Sequence, residues 1–168
     1  MDMAEVYQSR GMLVFMRIRA VTLIFVALVA GLLCFSQPAP DPWPKSAVVE
    51  PAMLATILQS PLAKEPVILC VAFPVLYKTK HIQHAIFAGQ GSKPEGIEEL
   101  KKAVAELPKD SDLVVYCGCC PMEKCPNIRP AYRALKELGF TRVRVLNIPT
   151  NMHTDWYSKN YPTEAGGN

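Results

Sequence analysis

Residues 113–140 read LVVYCGCCPMEKCPNIRPAYRALKELGF. The apolar run Leu113–Tyr116 predicts a buried strand, and apolar residues at helical spacing predict a helix that runs to Leu138. Gly139 is a typical C-terminal stop for such a helix. The segment from Cys117 to Cys125, which lies between these two elements, contains four cysteines. A strand, a cysteine-rich loop and a helix are therefore expected to follow one another directly.

The flanking sequence repeats the alternation of strands and helices. Apolar spacing predicts helices over Pro51–Gln59 and Pro94–Leu107, and Ser92 with Glu95 three residues on predicts a capping box for the second helix. Apolar runs predict strands at three more places, namely Pro66–Ala72, Ala85–Phe87 and, as the last strand, Val143–Leu146. This order predicts an α/β fold with a parallel sheet that is covered by helices on both faces.

The first 36 residues differ from the rest of the chain. Arg17 and Arg19 precede the charge-free apolar run Ala20–Phe35. This pattern is typical of a secretory signal peptide or a membrane anchor over residues 1–36. Met16 offers an alternative start, and the cysteine near the end of the run leaves a lipoprotein open. We expect an exported protein, periplasmic or anchored facing the exterior, that meets the membrane only through residues 20–35 if the segment is uncleaved.

A proline-rich linker and one domain follow this segment. Alternate prolines favour an extended linker over residues 37–47, which places the domain at residues 48–164 and a tail at residues 165–168. The formal net charge of +3 comes without a basic run, so the sequence predicts no nucleic-acid partner. The sequence indicates no cofactor and leaves the oligomeric state open.

The cysteine-rich loop lies where α/β folds usually place their reactive groups. Cys117 ends a predicted buried strand, and ligands bind beyond the carboxyl ends of parallel strands. The helix start that follows presents unpaired N–H groups, which stabilise a thiolate, the nucleophilic form of cysteine. Arg129 lies near that helix start and is expected to add a fixed positive charge.

The order of these pieces resembles the rhodanese (thiosulfate sulfurtransferase) family. The strand VVYC ending at Cys117, the loop after it and the helix IRPAYRALKELGF match the family's active-site region. Residues 80–85 (KHIQHA) resemble its Gly-His-Ile-Pro-Gly-Ala segment. Asp155-Trp156-Tyr157 followed by Tyr161-Pro162 resembles its closing stretch, so the likeness spans residues 49–164.

The resemblance implies a domain whose loop performs sulfur transfer. Cys117 would attack a sulfane sulfur, become a persulfide and pass the outer sulfur to a thiol or another nucleophile, with Arg129 as a second catalytic residue. Arg129 lies twelve residues after Cys117, against the family's usual five, so the loop is enlarged. The expected partners are a small sulfur-containing donor and a thiol acceptor. The remaining candidate residues of the substrate loop are Gly118, Cys119, Cys120, Cys125 and Asn127.

Two other functions would use the same loop. An exported loop meets an oxidising compartment, so Cys117 or Cys120 paired with Cys125 would make a dithiol redox protein. Four thiolates would also suit a soft metal such as Cu(I) or Zn(II). The spacing C-x-C-C-x4-C lacks the two separated knuckles of structural zinc sites, so we expect no stoichiometric zinc. A structural domain, a phosphatase or an arsenate reductase completes the alternatives.

A few residues require separate interpretation. Cys125 is the rival nucleophile within the sulfurtransferase hypothesis, because it also adjoins the helix start. We interpret Cys70 as a core residue and His81 as a residue that orders its loop by hydrogen bonding. Trp156 is interpreted as a packing anchor whose N–H needs a partner. Gly89-Gln90-Gly91 is interpreted as an ordinary turn rather than a phosphate loop.

Overall fold

The computed structural model describes residues 40–166. Within this range the strands are β1 Val48–Val49, β2 Val67–Cys70, β3 His81–Ile82, β4 Ile86–Phe87, β5 Asp112–Tyr116, β6 Arg142–Leu146 and β7 Thr163–Glu164. Five of them form one sheet in the order β1-β6-β5-β2-β4, and each neighbouring pair in it is parallel. β3 and β7 form a separate antiparallel pair.

The centre of the sheet is built from the apolar runs of β2 and β5. β2 pairs with β5 along its whole length, and the pairing ends with Cys70 beside Tyr116. Leu113, Val114 and Val115 are fully buried. Because successive side chains of a strand point to opposite faces, burial of all three requires cover on both faces of the sheet. The predicted α/β fold with a parallel sheet is therefore confirmed.

The helices are α1 Pro51–Gln59, α2 Pro74–Thr79, α3 Pro94–Ala103, α4 Ile128–Glu137 and α5 Met152–Asp155. α1, α2 and α3 each begin with a proline, whose fixed φ and missing N–H suit the first turn of a helix. α4 buries Ile128, Ala131 and Leu135, and Gly139 follows it at φ 88°. The predicted first helix and the predicted helix after the loop, with its glycine stop, are confirmed.

α3 differs from its prediction at both ends. The helix ends at Ala103 and not at Leu107, because Val104 leaves the helical path and buries its side chain in the core. No side-chain hydrogen bond caps the first turn. The backbone N–H of Ser92 donates instead to Oδ1 of Asn127, a contact with a distant part of the chain. The predicted capping box is therefore wrong.

Several short elements were not predicted. Val143–Leu146 forms most of β6, but it is not the last strand, because β7 follows and pairs with β3. β1 and α2 are further additions to the predicted order. Each of these elements is too short for its apolar residues to show a period, so the sequence pattern does not mark them.

Trp43 lies in the predicted linker and packs against the domain. Its ring is buried and meets the ring of Tyr132 edge-on, with centroids 5.4 Å apart. Lys45–Ala47 form a 3-10 turn that leads into β1. The predicted signal or anchor segment, residues 1–36, lies outside the described residues. Within residues 40–166, no helix is long and apolar enough to cross a membrane.

Candidate active site in the cysteine-rich loop

The cysteine-rich loop, residues 117–127, leaves the carboxyl end of β5 and leads into α4. Gly118 has φ 75°, a left-handed conformation that favours glycine. A side chain at this position would also collide with the side chain of Met152 at the start of α5. The backbone N–H of Met122 donates to the carbonyl oxygen of Ile148 at 2.8 Å. The loop is thus held both by β5 and by the segment between β6 and α5.

The four thiols of the loop form one cluster. The sulfur atoms of Cys117, Cys119 and Cys125 all lie within 4.8 Å of one another. The Sγ of Cys119 is 3.2 Å from the Sγ of Cys117 and 3.2 Å from the Sγ of Cys120. Cys117 and Cys125 are buried, the other two are partly exposed, and all four are free thiols. The fold therefore brings the four cysteines singled out in the sequence to one place.

The side chain of Asn127 joins this thiol cluster to the turn before α3. It is fully buried, and its Nδ2 donates to the Sγ of Cys117 at 3.2 Å. The same amide nitrogen lies 4.0 Å from the Sγ of Cys119. Its Oδ1 accepts the backbone N–H of Ser92 at 3.0 Å. Because both polar atoms of the amide are engaged, Asn127 presents a fixed N–H donor to the sulfur of Cys117.

Within the cluster, Cys125 carries the negative charge. The neighbouring thiol of Cys117 lowers the pKa of Cys125 to about 6 despite burial, and the backbone N–H groups of Asn127 and Ile128 also lower it. The same interaction with Cys125, followed by burial, raises the pKa of Cys117 well above its ordinary value. Burial also raises the pKa of Cys120 to about 12. At neutral pH the pair Cys117 and Cys125 therefore shares one charge, and the thiolate lies at the start of α4, where N–H groups favour an anion.

Arg129 lies beside the loop, where its guanidinium binds backbone carbonyl oxygens and an aspartate. Its guanidinium donates to the carbonyl oxygens of Glu123 at 2.9 Å and Cys125 at 3.2 Å. It also pairs with Asp41 at 2.6 Å and lies over the ring of Trp43. None of these contacts reaches a thiol of the loop, and the expected positive charge on the catalytic sulfur stays a prediction. Arg129 instead fastens the end of the loop to the chain before β1.

A cavity of about 260 Å³ borders the strand end of the loop. Cys117 and Gly118 line it, together with Tyr77 from α2, Met152 from α5 and Tyr157 from the 3-10 turn after α5. Most of its wall is apolar. Of the four clustered cysteines, Cys117 is the one that lines this cavity. The cysteine that a small molecule reaches through the cavity, Cys117, is therefore not the one that carries the negative charge, Cys125.

Some contacts at the site come from residues to which the sequence did not point. Met152 covers Gly118, Asp41 and Trp43 hold Arg129, and the N–H of Ser92 orients Asn127. Each of these partners lies more than 30 residues away along the chain. No local pattern marks such contacts, so a single sequence offered no signal for them.

The interpretations of residues outside the loop are confirmed. Cys70 is buried in β2. The Nδ1 of His81 lies 2.7 Å from the carbonyl oxygen of Tyr77, and this buried imidazole stacks on the tyrosine ring. Trp156 is fully buried, and its Nε1 donates to the carbonyl oxygen of Pro162 at 3.0 Å. These residues act through packing and hydrogen bonds within the domain core.

The three closest sulfurs, those of Cys117, Cys119 and Cys125, are also the set that suits a metal ion. Thiolates select soft ions such as Cu(I), whereas a structural zinc ion takes four ligands in a tetrahedron. The sulfur of Cys120 contacts Cys119 but lies outside this set of three. The expectation that the protein holds no stoichiometric zinc stays a prediction.

The family comparison agrees with this geometry. The family model described as the rhodanese-like domain matches residues 54–148. This range runs from α1 through β6 and includes the whole cysteine-rich loop. The chain therefore belongs to the rhodanese-like domain family.

Solved structures share the fold. The Alr3790 protein from Anabaena sp. is 24% identical, with a TM-score of 0.53, over 70% of this chain and 92% of that chain. The BH2092 protein from Bacillus halodurans is 23% identical, with a TM-score of 0.55, over 71% of this chain and 77% of that chain. The thiosulfate sulfurtransferase from Pseudomonas aeruginosa is 24% identical, with a TM-score of 0.51, over 77% of this chain and 22% of that chain. A comparison with curated protein sequences gives no match.

Proposed function

We propose that the chain is an exported sulfurtransferase in which Cys117 takes a sulfur atom from a small donor and passes it to a thiol acceptor. The observation that carries this proposal is the position of Cys117. It follows the carboxyl end of β5, lines the 260 Å³ cavity and receives an N–H donor from Asn127. Membership of the rhodanese-like family and the likeness to the thiosulfate sulfurtransferase from Pseudomonas aeruginosa add support for sulfur transfer.

In the first step, the sulfur of Cys117 attacks the outer sulfur of a donor such as thiosulfate. A bond forms between the two sulfurs, the S–S bond of thiosulfate breaks, and sulfite leaves with the bonding electron pair. The proton of the Cys117 thiol passes to the thiolate of Cys125, whose sulfur lies within 4.8 Å of it. Cys125 thus acts as the base that frees the nucleophile.

The persulfide formed on Cys117 is held by the loop. The amide of Asn127 donates to the sulfur, and the backbone N–H of Cys119 also stabilises its charge. In the second step, an acceptor thiolate attacks the outer sulfur, and Cys117 leaves as a thiolate. The acceptor then carries the persulfide, and the proton on Cys125 returns to Cys117, which restores the starting state of the protein.

Arg129 acts in this proposal as a positioning residue. It donates hydrogen bonds to the carbonyl oxygens of Glu123 and Cys125, and these bonds fix the end of the loop that contains the thiolate. The geometry of Cys125 relative to Cys117 then depends on this clamp. Its charge is already paired with Asp41, so it does not need to reach the sulfur.

Mass spectrometry of the reduced protein tests the sulfur-transfer step. After thiosulfate treatment in the presence of a thiol acceptor, we expect sulfur to appear on the acceptor, with a gain of about 32 Da on Cys117 as the intermediate. A retained metal ion would favour the soft-metal alternative. A loss of about 2 Da without thiosulfate would favour a dithiol redox protein.

Export is part of the proposal and has its own test. It rests on Arg17 and Arg19 before the charge-free run Ala20–Phe35. A reporter that works only outside the cytoplasm, fused after Asn168, should be active. An inactive reporter in a stably expressed fusion would contradict export and would leave the sulfur chemistry untouched.

A further inference from the structure

The two ends of the cysteine-rich loop bring together two thiols that need not wait for an external acceptor. Cys117 follows β5, Cys125 precedes α4, and their sulfurs lie within 4.8 Å of each other. Both side chains are almost fully buried. A large acceptor would have to reach the sulfur of Cys117 past the loop, whereas Cys125 is already beside it.

We propose that Cys125 resolves the persulfide of Cys117, releasing hydrosulfide and leaving a Cys117–Cys125 disulfide. This inference rests on the proposed function, because it begins from the same persulfide. It adds an activity: the domain would reduce a sulfane sulfur to sulfide with its own two thiols. An external dithiol would then reduce the disulfide and reset the protein.

The step is an ordinary thiol–disulfide exchange. The proton that Cys125 took in the first step moves to the outer sulfur of the persulfide. The regenerated thiolate of Cys125 then attacks the Sγ of Cys117, and a bond forms between these two sulfurs. The bond from that Sγ to the outer sulfur breaks, and the outer sulfur leaves as hydrosulfide with the bonding electron pair and the persulfide proton. The outer sulfur is reduced by two electrons, and the two cysteines are oxidised from thiols to a disulfide.

Cys125 suits this role better than the other thiols of the cluster. Its buried sulfur lies within 4.8 Å of that of Cys117, just before the N–H groups of the helix start. Cys119 has its sulfur 3.2 Å from that of Cys117, but the two are separated by one residue, and a bridge between them would close a small, strained ring. Cys120 lies outside the set of three close sulfurs.

The sequence itself allows a sharp test. Trypsin cleaves after Lys109, Lys124 and Arg133, so Cys125 falls in the peptide of residues 125–133 and the other three loop cysteines in residues 110–124. The reduced full chain is treated anaerobically with thiosulfate and no added thiol. We expect about one sulfide released per chain, a final mass about 2 Da below the reduced protein, and these two peptides joined by a disulfide.

Variants separate this step from persulfide formation. Cys125→Ser should gain about 32 Da, more slowly than the wild type, and should release no sulfide. Arg133→Ala changes an exposed residue of α4 outside the loop and serves as the control, with sulfide release kept. Cys119→Ser should also end with the joined peptides.

The outcomes distinguish the two proposals. A wild-type protein that keeps the added sulfur and releases no sulfide would overturn this inference and leave the proposed function standing. A disulfide confined to residues 110–124, or a disulfide formed without thiosulfate, would also overturn it. No added sulfur and no sulfide in any variant would remove the proposed function itself. The peptide map of the wild type decides the matter even if Cys125→Ser does not fold.

Discussion

The strand end and the helix end of the cysteine-rich loop treat their cysteines differently. At the strand end, Cys117 is fixed by β5, lines the cavity and is bonded by the amide of Asn127. At the helix end, Cys125 precedes α4, and the thiol of Cys117 and the backbone N–H groups of Asn127 and Ile128 lower its pKa, so that it carries the negative charge. A substrate therefore meets one cysteine, while the charge that activates it is stored on the other.

This difference teaches that a reactive loop need not place access and ionisation on one atom. A thiolate at the cavity wall would be open to non-selective oxidation and alkylation, because the thiolate is the reactive form. Keeping the charge on buried Cys125 makes Cys117 a nucleophile only when its proton is transferred. The four predictions below test this division, from the largest expected effect to the smallest.

Cys117→Ser should abolish sulfur transfer, because catalysis needs a sulfur that is fixed within about 1 Å of its productive position. Cys119→Ser should leave a measurable rate, since Cys119 does not line the cavity. The rate of sulfur transfer from thiosulfate to a thiol measures both variants. Activity that survives in Cys117→Ser would make Cys125 the nucleophile and reverse the comparison.

Asn127→Asp should lower the rate of sulfur transfer by about ten- to a hundredfold, because it removes one preorganised N–H donor to the sulfur of Cys117. The carboxylate can still accept the N–H of Ser92, so the variant should remain folded. Asn127→Ala removes both bonds and should also lower the free energy of unfolding by about 1–3 kcal/mol. Full activity in Asn127→Asp would show that the strand end needs no such donor.

The thiol of Cys125 should ionise with a midpoint near pH 6, well below the ordinary thiol pKa of 9.0. Because the folded pKa of Cys125 is lowered, the thiolate is present above that midpoint and is lost as the pH falls through it. About one unit lower, roughly a tenth remains ionised, so the rate of persulfide formation should fall about tenfold. Ultraviolet absorbance of the thiolate follows the titration directly.

The variants Cys125→Ser and Cys117→Ser give the control for this titration. The first should remove the low-pH step, and the second should move it upward, since Cys117 supplies the largest lowering contribution. A midpoint near the ordinary value in the reduced wild type would contradict the assignment of the charge to the helix end.

Arg129→Ala should slow sulfur transfer only about threefold, because its partly exposed pair with Asp41 is worth about 0.5–1 kcal/mol and the thiols remain held by Asn127. Arg133 lies exposed on the same helix, α4, and Arg133→Ala gives the matched control, with no change expected in the rate of sulfur transfer. If Arg129→Ala lowered the rate of sulfur transfer as much as Cys117→Ser does, Arg129 would have to act directly on the reacting atoms.

Much of this architecture could be predicted from the sequence because the main elements carry long apolar patterns. Leu113–Tyr116, the helix after the loop and its stop at Gly139 were all marked in this way. The predicted capping box at Ser92 is wrong because the backbone N–H of Ser92, which the motif would use, donates to a distant residue, Asn127. Local rules do not register such competition.

The sequence by itself determined the order of the longer strands and helices and the place of four cysteines in one loop, because these depend on local spacing and periodicity, and its motifs carried the resemblance to the family. The tertiary structure decided which sulfurs lie close together, which cysteine lines the cavity and which acidic residue pairs with Arg129. Each of these depends on contacts between residues far apart along the chain. Burial and hydrogen bonding then set the ionisation of Cys117 and Cys125 in opposite directions, although both are the same kind of side chain.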